Sequence, residues 1–241
     1  HTITGWPGGK PNHDDSNRPE RANPAKKRVL IFSPHPDDDV ISMGGTFARL
    51  IDQGHEVHVA YQTSGNIAVT DQEALKFIEV AENSFLKNQG NTDQLEGLKK
   101  SFNSDSIEIS KDVLSVKAAV RRSECLAAAR FLKLPTEQLH FLNLPFYETG
   151  KIIKNEPSAV DFKITQDLID EIKPHQIFAA GDLADPHGTH RACLNIIFKV
   201  IEDIKAKAYM DDCRVWLYRG AWQEWDIEDI EMAVPLSPDQ V

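Results

Sequence analysis

The chain has 241 residues, 41% of them hydrophobic, and a formal net charge of −10. That length supports one sizeable core with appendages, and the negative balance argues against nucleic acid as a partner. No apolar run is long enough to span a bilayer and no signal peptide is visible, while Cys125, Cys193 and Cys213 form no disulfide framework or CxxC site and fit a reducing, cytoplasmic setting.

Residues 1–27 are polar and rich in Pro, Gly and Asn, with Trp6 as the one large apolar group. They read as an extended arm, and the domain is expected over 28–241. A start at His1 rather than Met is expected of a piece cut from a longer protein. Residues 28–33 read as a buried strand and 40–53 as a helix stopped by Gly54. Residues 55–61 read as a second strand, completing one βαβ unit with a right-handed crossover. Thr63-Ser64-Gly65-Asn66 is a turn beyond that strand, and 71–86 reads as helix. The polar stretch 88–111 is expected to be an irregular insertion. A strong helix follows over 113–132, then a strand over 139–144, a helix over 159–172 closed by Pro174, and a strand over 176–180. A helix over 191–205 and a late strand over 214–218 complete the pattern. Alternation of strand and helix predicts a Rossmann-like α/β three-layer sandwich with a mostly parallel sheet. No GxGxxG follows the first strand, which argues against a dinucleotide.

Two loops carry the chemistry, and they lie about 150 residues apart. Pro34-His35-Pro36-Asp37-Asp38 follows the first strand, and Asp185-Pro186-His187-Gly188-Thr189-His190 follows the fourth. Loops at the carboxyl ends of parallel strands form the ligand crevice, so the two segments can meet. His35 and Asp38, three apart, can share a cation. Asp37 is then free to act as general base towards the attacking water. His187 and His190 offer one further ligand and one acid or oxyanion stabiliser, with Asp182 and Asp185 placed to orient the imidazoles. The opposing reading is a pair of polar loops whose acids favour helix starts, the reading preferred for Asp39. Gly44-Gly45 inside a helix suggests a close backbone approach or tight packing against a strand. Ser64 and Asn66 line the same edge and are candidates for substrate contact, as against an ordinary turn. His55, His58, His140 and His175 are read as lying away from the site. Trp216, Trp222 and Trp225 are read as packing residues rather than a sugar-stacking patch.

These motifs, with Arg121-Arg122-x-Glu124 on the middle helix, resemble the PIG-L/LmbE-like zinc de-N-acetylases from about residue 28 to 205. The resemblance implies zinc held by His35, Asp38 and His190, with another divalent metal as the alternative. It makes Asp37 the base, and His187 the group that polarises the amide oxygen or protonates the amine. Arg121 or Arg122 would lie near an N-acetylglucosamine-type substrate. Gly188-Thr189 stands where the family usually carries Pro-Asp, so a supporting carboxylate is expected to be missing. The arm Thr4 to Asn12 resembles the junction in fusions with a glucosamine-6-phosphate deaminase-like half, which implies an upstream deaminase-like domain. A homo-oligomer is left open. The rival functions are a non-catalytic sugar-binding or assembly module and a metal phosphoesterase. The latter usually wants two metals, and the ligands here suffice for one.

Overall fold

A computed structural model describes residues 25–86, 93–102, 110–151, 153–220, 222–234, 236 and 238. The arm before residue 25, and parts of the insertion at 87–92 and 103–109, lie outside the described residues. Five strands, β1 (Arg28–Ser33), β2 (Glu56–Tyr61), β3 (Leu139–Phe141), β4 (Gln176–Ala180) and β5 (Arg214–Tyr218), form one sheet in the order β3-β2-β1-β4-β5. Every pairing is parallel. The helices are α1 (Asp38–Ile41), α2 (Gly44–Asp52), α3 (Asp71–Ala81), α4 (Asp93–Phe102), α5 (Lys111–Phe131), α6 (Ala159–Ile172) and α7 (Thr189–Ile204).

Both faces of the sheet are covered, which explains why 28–33 reads as an unbroken apolar run. Val29 and Ile31 pack with Phe47 and Leu50 of α2 and with Cys125 and Ala129 of α5. Leu30 and Phe32 point the other way, onto Leu168 and Ile169 of α6 and Leu194 and Ile197 of α7. From β1 the chain winds outward through β2 to β3, and from β4 it winds the opposite way to β5. β1 and β4 are therefore the neighbours at which the winding reverses, and a crevice opens above their carboxyl ends.

Several elements differ from expectation. The helix expected over 40–53 is two, broken at Ser42-Met43. Gly44 and Gly45 open the second one. A Cβ built on Gly44 would meet only Val40 Cγ1, at 3.7 Å, so no close backbone approach is present at Gly44. The strand expected over 139–144 stops at Phe141 because Asn143 takes φ 46°, outside the β region. Leu142 N and Leu144 N still donate to Tyr61 O and Gln62 O, each at 2.9 Å. The helix expected over 71–86 ends at Ala81 and continues as a π turn, Glu82–Leu86. The insertion carries α4.

At the amino ends of the strands, away from the crevice, two successive backbone amides are received by imidazoles. Lys27 N donates to His55 Nδ1 at 3.1 Å and Arg28 N to His175 Nδ1 at 3.0 Å. His55 is buried. Burial, with Lys26 and Lys27 alongside, pushes its imidazole down to about 4.

Candidate metal centre

Beyond β1 the chain folds back on itself within six residues. Asp37 N donates to His35 O at 2.8 Å, and Ser33 Oγ accepts from Asp39 N at 3.1 Å. His35 N donates to Asp38 Oδ2 at 2.8 Å, which sets the imidazole and the carboxylate side by side. Beyond β4, the Asp185 carboxylate accepts from His187 N at 2.9 Å and from His190 N at 3.0 Å. This pins the start of α7 and swings the buried His190 ring towards β1. The helix begins two residues before the expected 191, and that places His190 in its first turn.

Three donor atoms from the two loops then form a nearly equilateral triangle. His35 Nδ1 lies 3.3 Å from Asp38 Oδ2, His190 Nε2 lies 3.3 Å from the same oxygen, and the two nitrogens are 3.2 Å apart. Three donors each about 2.0 Å from one tetrahedral centre stand about 3.3 Å apart. The set therefore fits a single divalent cation with a free coordination place, and it is the group of this kind found among the described residues. Burial alone would raise the Asp38 carboxyl. The His190 and His35 hydrogen bonds outweigh it and hold the group well below the usual carboxylate range. Burial opposes charge on His190 as well, but its contact with Asp38 shifts it upward.

The neighbouring acids have separate duties. Asp37, partly exposed, puts Oδ2 2.7 Å from Arg121 Nη2, and Arg121 Nη1 donates to Glu124 Oε2 at 2.8 Å. Asp39 is buried rather than a plain helix-start acid. It accepts from Ser33 Oγ and Tyr61 Oη, each at 3.1 Å, and burial pushes its carboxyl up to about 6. Asp182 and Asp185 do not grip the imidazoles. Asp182 accepts from the amides of Trp222 and Gln223, and so clamps that loop beside the crevice. Gly188, with φ 70°, makes the turn into α7.

His187 is exposed on the same loop as His190. Ser64 and Asn66 do reach the crevice edge, but their donors are taken up by Glu148. Its carboxylate accepts from Ser64 N (2.9 Å), Ser64 Oγ (2.8 Å) and Asn66 Nδ2 (3.1 Å). Gly65 between them has φ 63°, and a Cβ there would lie 2.8 Å from Pro36 Cδ, so the turn needs glycine. Glu148 escaped the sequence reading; an acid on the loop after a parallel strand was the available signal. Arg122 is exposed, with its guanidinium 4.2 Å over the Phe141 ring. Trp216 packs partly into the core, Trp225 stacks beneath Arg219 at 3.7 Å, and Trp222 is exposed. A larger cleft of about 480 Å³ lies between β5 and the residues after it and holds no member of the triangle.

The family model described as PIG-L, GlcNAc-PI de-N-acetylase, matches residues 30–201. Over its whole length the chain is 54% identical to a glucosamine-6-phosphate deaminase-like protein of Bacteroides thetaiotaomicron, and it spans 38% of that relative. It is 27% identical over 197 residues to the diacetylchitobiose deacetylase of Thermococcus kodakarensis, covering 76% of this chain and 67% of the relative. Among solved structures, N,N'-diacetylchitobiose deacetylase of Pyrococcus horikoshii shares the fold at a TM-score of 0.51 and 22% identity, covering 80% of this chain and 60% of that one. The match over most of its length, taken with the donor triangle on the two loops, means that the chain belongs to the PIG-L family of de-N-acetylase hydrolases.

Proposed function

We propose that the chain removes the acetyl group from an N-acetylated amino sugar with the help of one zinc ion. The observation that carries this is the triangle of His35 Nδ1, Asp38 Oδ2 and His190 Nε2, with sides of 3.2 to 3.3 Å. These three residues would hold the ion. Zinc in such a site supplies Lewis acidity and makes water a usable nucleophile near neutral pH. Asp37 takes the proton of the attacking water. Arg121 engages its Oδ2, which fixes the orientation of the carboxylate and leaves Oδ1 to accept. His187, exposed at the mouth, gives a proton to the departing amine or polarises the amide oxygen. The deaminase-like relative extends well beyond this chain, in keeping with a deaminase-like domain upstream in the full protein.

The test is acetate release from N-acetylglucosamine by zinc-loaded protein. Asp37→Asn should lower turnover by about 10²-fold or more while elemental analysis finds the metal content unchanged. Full turnover in a metal-loaded Asp37→Asn would remove Asp37 from the mechanism. Sugar binding without turnover in the parent protein would favour a non-catalytic sugar-binding module.

A further inference from the structure

We propose that a second cleft, beside the donor triangle, is an anion subsite that takes a charged substituent of the amino sugar, a phosphate first. It rests on the deacetylation reading only for the identity of the sugar. The cleft has a volume of about 250 Å³ and adjoins the metal centre through Pro36, between His35 and Asp37, and through Ser64. One wall is a face of α5. Ser115, Ala118, Ala119 and Arg122 recur there at helical spacing, and the three small side chains leave the space open. The other wall is Phe141 and Asn143 at the end of β3.

The charges are distributed unevenly. Arg121 is taken up by Asp37 and Glu124. Its neighbour Arg122 meets no carboxylate within ion-pair distance among the described residues, and no acidic residue lines the cleft. The Arg122 guanidinium lies over the Phe141 ring, and guanidinium N–H groups suit bidentate capture of phosphate or carboxylate. Asn143 adds an amide. Its left-handed φ of 46° is a conformation most side chains avoid and Asn tolerates. The amides on either side of it remain tied to Tyr61 and Gln62, so it is held at the lip of the cleft. In a chain of net charge −10, a cation with no ion-pair partner among the described residues, flanked by the Ser115 hydroxyl and an amide, selects for a small anion. The volume suits one substituent rather than a further drug-sized ligand. The bound sugar would then run from the triangle, where its acetamide sits, to Arg122, where its acidic group sits.

The experiment is calorimetric titration with glucosamine 6-phosphate, glucuronate and glucosamine, none of which carries an acetyl group. The proteins compared are the parent chain, Arg122→Gln, and Arg130→Gln as an exposed control on the same helix. The parent should bind the phosphate at least ten times more tightly than glucosamine. Arg122→Gln should erase that preference and leave glucosamine binding alone, and Arg130→Gln should change nothing. Glucuronate binding as tightly as the phosphate would assign the subsite to carboxylates and phosphates alike. Equal affinity for charged and neutral sugars, equal weakening of all three by Arg122→Gln, or no sugar binding at all would overturn the proposal. Acetate release is measured separately, so a preserved charge preference without acetate release would sink the deacetylation reading alone.

Discussion

Arg121 touches both halves of the turn that carries the ligands. Its Nη2 meets Asp37 Oδ2 at 2.7 Å and the Pro36 carbonyl at 3.5 Å, while Nη1 is held by Glu124. On the proposed reading it is a positioning residue for Asp37, with its guanidinium shared between Asp37 and Glu124. Arg121→Met should lower kcat by about 10²-fold, as misplacing a catalytic group does, with KM and metal content little changed. Arg121→Lys should recover part of the loss by keeping the ion pair. Steady-state kinetics with elemental analysis would check both. His55 supports a prediction about pH. Its folded-state value, about 4, lies below its ordinary value of 6.5, so the folded chain binds fewer protons between the two. Stability should be full above about 6.5 and fall as pH drops towards 4. His55→Asn, which keeps an acceptor for Lys27 N, should flatten that part of a urea midpoint against pH curve. The sequence showed His55 as one more polar residue; its burial depends on where residues 26 and 27 lie.

At the scale of elements, α1 and α2 form two short helices where 3.6-residue periodicity predicts one. α1 buries Asp38 and Asp39 and leaves Val40 and Ile41 exposed, while α2 buries Phe47 and Leu50, so apolar periodicity alone does not report the break at Ser42-Met43. Strands β1, β4 and β5 were legible at their true ends because each is an apolar run bounded by turns. β3 was not, since the left-handed step at Asn143 is a backbone event with no apolar signature. The loop after β3 hangs on Asp161 of α6. One carboxylate oxygen accepts from Phe146 N at 2.9 Å, and the other accepts from Ser158 N at 2.8 Å and Ser158 Oγ at 2.7 Å. Asp161→Ala would strand two amides and should cost about 3 kcal/mol in urea denaturation. It should also loosen Glu148, which sits on that loop and binds the Ser64–Asn66 turn.

At the scale of the whole molecule, the core consists of two layers of side chains on either side of one parallel sheet. Leu50, fully buried among β1, β2 and α5 side chains, should cost about 2–5 kcal/mol on truncation to alanine, read as a shift in the urea midpoint. The fold class and the two loops could be read from the chain because strand, helix and loop alternate in order along it. Glu148 and the Arg122 cleft could not, since Glu148 meets Ser64 across 84 residues of sequence and the cleft joins α5 to β3. That long-range closure matters most at the triangle, whose imidazoles lie 155 residues apart. Nothing resembling a cage exists until β4 has zipped against β1, after more than a hundred residues have found their places. An ion held by all three donors therefore waits on that pairing. It would be captured late, by an assembled sheet, and on the proposed reading a polypeptide still emerging from the ribosome offers no complete zinc site until α7 has been made.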